Sequence, residues 1–360
     1  MALLLLALTL TVAFANGAND VSKGIATLVG SGVTNAKRAI LWGTGWTVAG
    51  GFAAAYASQG LVAVFSGQGL LAAPSAGPVF LIAVTCGTIG WLFIATRTGL
   101  PVSTTHALVG GLVGAGVAAQ GFVGVSWTAV ARKVALPLAT SPLLSLALML
   151  AVVPVVGLLF RRLNRYCVCV ERREAVLAAP APALALGHGP SLRVLAGADC
   201  PPDVLTRFHA VDSLHWLSAG LTSFFRALND TPKILALGVA AAPALGIDAI
   251  PLFLLVALAM GAGSHVAGIR VTHTLAGKVT RMSPDDGVAA NLVTSVLVGL
   301  ASALAAPVST THVSSGAIIG IGVHKQDVRW KTVREMLLAW LVTLPVAAAL
   351  AGAVYALIGR

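Results

Sequence analysis

Between Arg38 and Arg97 this chain carries no Asp, Glu, Lys or Arg, and the same is true from Val134 to Phe160 and from Gly287 to His324. A helix needs only ~20 apolar residues to cross the ~30 Å hydrocarbon core of a bilayer. Soluble domains carry roughly 25% charged residues; this chain has 10%, against 57% hydrophobic. With no water in the bilayer core, a spanning segment must satisfy its own backbone N–H and C=O groups, which favours helices. The sequence therefore reads as an all-α polytopic membrane protein.

The net charge of +11 is read by position. Lys37 and Arg38 form one basic cluster, Arg161, Arg162, Arg165, Arg172 and Arg173 a second, Arg270, Lys278 and Arg281 a third, and Lys325, Arg329, Lys331 and Arg334 a fourth. The connections at 58–78 and 240–250 are nearly free of charge, and 119–133 holds only Arg132 and Lys133. Basic loops stay in the cytoplasm. One topology satisfies all four clusters, with both termini outside the cell membrane. The charge thus reports orientation, and no nucleic-acid partner is expected. Ala13-Phe14-Ala15 resembles a signal-peptidase site, but no basic n-region precedes it, so residues 2–36 are read as embedded in the membrane.

That first segment holds only two charges, Asp20 and Lys23. As one helix at 1.5 Å per residue it would reach about 54 Å, beyond the bilayer core. An interruption is expected at Asn16-Gly17-Ala18-Asn19-Asp20. The device recurs: Asn19-Asp20-x-x-Lys23 matches Asn229-Asp230-x-x-Lys233, where Pro232 is expected to supply the break. A second motif is duplicated at a similar stride, 206 residues against 210. Pro-Val-Ser-Thr-Thr-His begins at Pro101 and again at Pro307.

Each half then reads as a broken helix, a second helix (38–58 and 250–268), two stretches flanking the hexapeptide (79–96 with 102–119, and 288–306 with 308–323), and a final helix (134–160 and 335–358). If the flanking stretches form a re-entrant helical hairpin, each half crosses three times. An odd number inverts the second half relative to the first. The expected architecture is two inverted-topology repeats with broken helices and re-entrant hairpins, the plan of secondary transporters. Residues 1–160 form the first repeat, 161–215 an Ala/Pro/Gly-rich cytoplasmic linker, and 216–360 the second.

In each hexapeptide Pro ends one half-helix and the hydroxyls start the next. A helix start offers unpaired N–H groups and partial positive charge, so Ser103, Thr104 and Thr105 with Ser309, Thr310 and Thr311 make a candidate anion cradle. The plainer reading is that these residues cap their helices.

The motifs Gly17 to Val21, Gly99 to Leu108 and Pro307 to His312, with the run Gly268 to Pro284, resemble the PiT type of inorganic phosphate transporters. The resemblance implies symport of phosphate with a cation, H+ or Na+, without a cofactor. The anion would lie on the two Ser-Thr-Thr tips with Asn19 and Asn229. Asp20 and Asp230 would handle the coupling ion, and a sodium ion, if one binds, belongs near them. Some relatives carry sulfate, so a sulfate permease is the alternative. The expected partners are phosphate and the lipid bilayer, with a homodimer left open.

Departures from the family pattern bear on coupling. Lys23 replaces a common Asn, Ala227-Leu228 replaces Gly-Ala after Arg226, and Arg97 has only Ala303 as its counterpart. Residues three apart on a helix share a side, so Lys23 and Lys233 are placed to pair with Asp20 and Asp230, where a relative could hold sodium. Protons are favoured over sodium. His106 and His312 could exchange protons or simply pack. Cys167, Cys169 and Cys200 are too few and too widely spaced for a metal site. An intramembrane hydrolase using His106 with Ser103 or Asp20 needs one asymmetric pair, whereas each candidate here is duplicated. An anion channel fits less well than an occluded site.

Overall fold

The computed structural model describes residues 1–57, 59–66, 70–71, 77–163, 166–171, 191–196 and 206–359. Helices α1 (Ala2–Asp20) and α2 (Ser22–Gly30) open the chain, followed by α3 (Ala36–Ala57) and the short α4 (Gln59–Phe65). A hairpin of α5 (Pro78–Thr98) and α6 (Thr104–Gln120) comes next. One turn, α7 (Trp127–Ala129), leads through a π-helical stretch at Val130–Ala135 into α8 (Leu136–Leu163). The second half runs through α9 (Ala210–Gly238), the single turn α10 (Ala242–Leu245), α11 (Ala249–Ala267) and α12 (Ile269–Gly277). Its hairpin is α13 (Pro284–Ala303) with α14 (Thr310–Lys325), and α15 (Trp330–Ile358) closes the chain.

Local chemistry sets these boundaries. Pro78 starts α5, and Gly99 ends it in the left-handed region at φ 75°, a conformation that costs glycine little. Ser283 and Asp286 form a reciprocal capping box at the start of α13. Six segments are long and apolar enough to cross a membrane: Ala2–Gly30, Pro78–Thr98, Trp127–Phe160, Ala249–Ala267, Pro284–Ala303 and Trp330–Ile358. Large apolar side chains such as Leu3, Leu41, Phe93, Leu143, Leu255 and Leu341 face outward, as a lipid-facing surface requires.

Two sequence expectations change. The interruption falls just after Asn16 to Asp20 and not within it: the Val21 N–H still reaches Gly17 O, α1 ends at Asp20, and α2 resumes at Ser22 across a three-residue step from Gly24 N–H to Val21 O. Gly17 serves close packing instead. A Cβ there would sit 1.9 Å from Met260 O, and one on Gly263 would sit 1.9 Å from Phe14 O, so α1 and α11 cross backbone to backbone. Nor does Pro232 interrupt α9, which is continuous across it. Proline removes one N–H, and α9 packs along both α3 and α13, with Gly51 of α3 against Thr231 beside it.

The stretch between the halves also differs from a plain linker. Strands β1 (Tyr166–Glu171), β2 (Ser191–Ala196) and β3 (Thr206–His209) form an antiparallel sheet in the order β2-β1-β3. Cys167 pairs with both Leu195 and His209 across it; Cys200 lies outside the described residues.

Packing between the halves is exchanged. The last helix of the second half, α15, lies on the α5–α6 hairpin of the first, while α8 lies on α13 and α14. Likewise α1 packs on α11 and α9 on α3. These reciprocal contacts bring both hairpin tips and both Asn-Asp motifs to the centre.

Candidate functional site

The centre is polar and buried. Asn16, Asn19, Asp20, Lys23, Thr104, Thr105, Arg226, Asn229, Asp230, Lys233, Thr310 and Thr311 are all buried. Asp20, the last residue of α1, pairs with Lys23 on α2, and Asp230 pairs with Lys233 on α9 at 3.2 Å. The pairing expected from three-residue spacing is present in both halves.

The tips repeat the same scheme across the halves. Lys23 Nζ donates to Val102 O at 3.2 Å, and Lys233 Nζ to Val308 O at 2.9 Å. Thr311 Oγ1 donates to that same Val102 O at 2.7 Å, and Thr105 Oγ1 to Val308 O at 3.3 Å. Each valine carbonyl thus collects a lysine from its own half and a threonine from the other. Lys233 Nζ also reaches Thr105 Oγ1 at 3.0 Å.

The six hydroxyls divide by task. Ser103 and Ser309 act as helix caps, accepting from the N–H groups of His106 and His312, each at 3.2 Å. Thr105 and Thr311 hold the opposite tip, and Thr104 lies beside Asp20. The plain capping reading therefore describes the serines and not the threonines. Thr310 is buried with them.

The two asparagines of the motif behave differently. Asn19 clasps the first tip, accepting from Val102 N–H at 3.2 Å and donating to Leu100 O at 3.0 Å. Asn229 is equally buried, yet neither of its amide atoms has a partner among the described residues.

Sequence reasoning missed Asn16, which it read only as part of a helix break. Its amide nitrogen lies 3.0 Å from Asp20 Oδ2, 2.9 Å from Thr104 Oγ1 and 3.3 Å from Asp230 Oδ2. Its carbonyl oxygen accepts from Arg226 Nη1 at 3.1 Å. Arg226 is thereby drawn into the site, where the sequence marked only a departure. The available signal was register: Asn16 and Arg226 share the stride that separates the two Asp residues.

Other candidates fall outside this network. The Arg97 guanidinium lies over the Phe93 ring, 4.4 Å from its centroid, on the exposed side of α5. His106 and His312 meet behind the tips with ring centroids 4.6 Å apart. His312 is held by Leu138 O at 2.9 Å and lies against Trp340. No group of three or more His, Cys, Asp or Glu able to hold a metal occurs among the described residues.

This arrangement has relatives. Residues 16–351 match the model of the phosphate transporter family. The chain belongs to that family. Among curated relatives of this phosphate transporter family member is a probable low-affinity inorganic phosphate transporter of Rhizobium meliloti, 29% identical and aligned over 98% of this chain and 94% of the other. A putative phosphate permease of Pyrococcus horikoshii is 28% identical over 98% of this chain and 96% of its own. A solved structure described as the sodium-dependent phosphate transporter has the same fold, with TM-score 0.77 and 21% identity over 99% of this chain and 98% of that one. Membership makes the protein a multi-pass membrane transporter of the phosphate class and not an enzyme.

Proposed function

We propose that this protein imports inorganic phosphate across the cytoplasmic membrane by proton symport. The two halves act as inverted repeats, their α5–α6 and α13–α14 hairpins re-entrant, with both termini outside. Asp20, Asp230, Lys23 and Lys233 handle coupling, while the threonine tips with Asn19 and Asn229 receive the anion.

One observation carries the reading: both carboxylates already hold an ammonium group. An arriving phosphate draws Lys23 and Lys233 toward itself, away from the carbonyls of Val102 and Val308. A buried carboxylate left without its lysine is costly and takes another cation. A proton fits there without a coordination shell, whereas sodium would need several oxygens, and Asn16 already engages Oδ2 of both carboxylates. Phosphate also keeps at least one proton near neutral pH, which it can donate to Val102 O, Val308 O or a carboxylate; sulfate has none to offer.

Uptake into proteoliposomes with sodium replaced by choline tests coupling directly. Full activity in choline, higher at pH 6 outside than at pH 8, is the expected result, and strict dependence on sodium would overturn it. Excess sulfate is expected to leave phosphate uptake largely intact; equal competition would reverse the choice of substrate.

A further inference from the structure

Arg226 breaks the symmetry of the site at one position. In the helices that carry the Asn-Asp motifs, residues 210 apart correspond between the halves, and Asn19, Asp20 and Lys23 have identical counterparts in Asn229, Asp230 and Lys233. Asn16 and Arg226 are the unlike pair, and these two side chains meet each other. Arg226 Nη1 donates to Asn16 Oδ1 at 3.1 Å, and Nη2 donates to Thr47 Oγ1 of α3 at 2.6 Å. Its Nε is buried without a partner among the described residues.

The charges do not balance. Each carboxylate forms a salt bridge with its own lysine, and no salt bridge to Arg226 occurs among the described residues. Asp20, Asp230, Lys23, Lys233 and Arg226 leave a formal surplus of about one positive charge, because guanidinium stays protonated. A buried charge without a counter-ion is costly. It is retained where a ligand supplies the opposite sign.

We propose that Arg226 is a built-in countercation for the transported anion, standing in for one cation that the carrier would otherwise take up with each phosphate. The proposal rests on the reading that this site carries phosphate. A site closed off from water favours a loaded state near neutrality. With the surplus charge, a phosphate dianion needs about one coupled cation. With asparagine at 226, as the first half has at 16, the empty site is neutral and needs about two. Arg226 also positions Asn16: a guanidinium on Oδ1 turns the amide nitrogen toward Asp20, Thr104 and Asp230.

The test is the coupling ratio of the full-length protein in proteoliposomes. It is read from the phosphate gradient that an imposed proton gradient, and separately a sodium gradient, just balances. Arg226→Lys is expected to keep the wild-type ratio, and Arg226→Asn to raise it by about one cation per phosphate. The double exchange N16R/R226N returns the charge from the other half and is expected to restore the ratio. If Arg226→Asn does not transport, calorimetry on the purified variant counts the cations taken up per bound phosphate, again about one more than wild type. If it does not fold, Arg226→Gln, closer in volume, takes its place. An unchanged ratio or count in the neutral variant overturns the proposal. Wild-type flux that follows sodium overturns proton coupling alone, since the Arg226 shift is then read on the sodium axis. Absence of phosphate flux in the wild type overturns the underlying reading.

Discussion

At the scale of single residues, one carboxamide does most of the joining. Asn16 has two amide hydrogens and faces both carboxylates and Thr104, while its oxygen accepts a hydrogen bond from the Arg226 guanidinium. Hydrogen bonds to charged groups are worth about 1.5–3 kcal/mol each. Asn16→Ala removes at least two of them, so the half-saturation concentration for phosphate is expected to rise by at least about tenfold. Thr98→Ala, at an exposed threonine whose hydroxyl donates to Ile94 O and Ala95 O of its own helix, is expected to leave it unchanged; equal kinetics for the two variants would remove Asn16 from the site. The Asp–Lys pairs were legible in the sequence because their partners are three residues apart in the chain, about one helical turn. Asn16 was not, because its partners lie in other helices and its own counterpart is a different residue.

At the scale of helices, the sequence marks where an element starts more reliably than whether it bends. Pro78, Ser103, Ser283 and Ser309 all stand at helix starts, since a missing donor or a capping hydroxyl acts locally. Pro232 and Gly17 read as breaks and are not, because packing against neighbouring helices decides whether a locally weak turn holds. Gly17→Ala measures that packing. Its methyl group would overlap Met260 O, so α1 and α11 must separate, at a cost of about 1–3 kcal/mol. A clear fall in the thermal unfolding midpoint in detergent is expected. Gly45→Ala is the control, since a Cβ there meets nothing within 4 Å and alanine favours a helix. The sheet between the halves left no trace in an Ala/Pro/Gly-rich composition, because strands of four to six residues carry too short a pattern.

At the scale of the whole molecule, the duplicated motifs gave the order of the helices in both halves correctly, down to the paired hairpins. They could not show which half packs on which, because the repeats are alike. The proposed topology rests on the basic loops and is checked by accessibility. Single cysteines at positions 170 and 281 are expected to react with an impermeant maleimide only from the cytoplasm, and one at 248 only from outside; 281 and 248 are exposed. Reaction of all three from one face would refute the inverted arrangement.

The exchanged packing has a consequence for how the protein is made. Helix α6 ends at Gln120, and α15, which covers it, starts at Trp330. At roughly 5–20 residues per second of synthesis, α6 waits on the order of 10–40 s in the membrane for its neighbour. During that interval the nascent first half holds Asp20 and Lys23 without the second half's tip. Expressed alone, residues 1–160 are therefore expected to be degraded rapidly, and co-expression of 206–360 to lengthen their half-life in a pulse-chase. A long-lived isolated first half would mean that assembly can be completed before the ribosome has finished the chain.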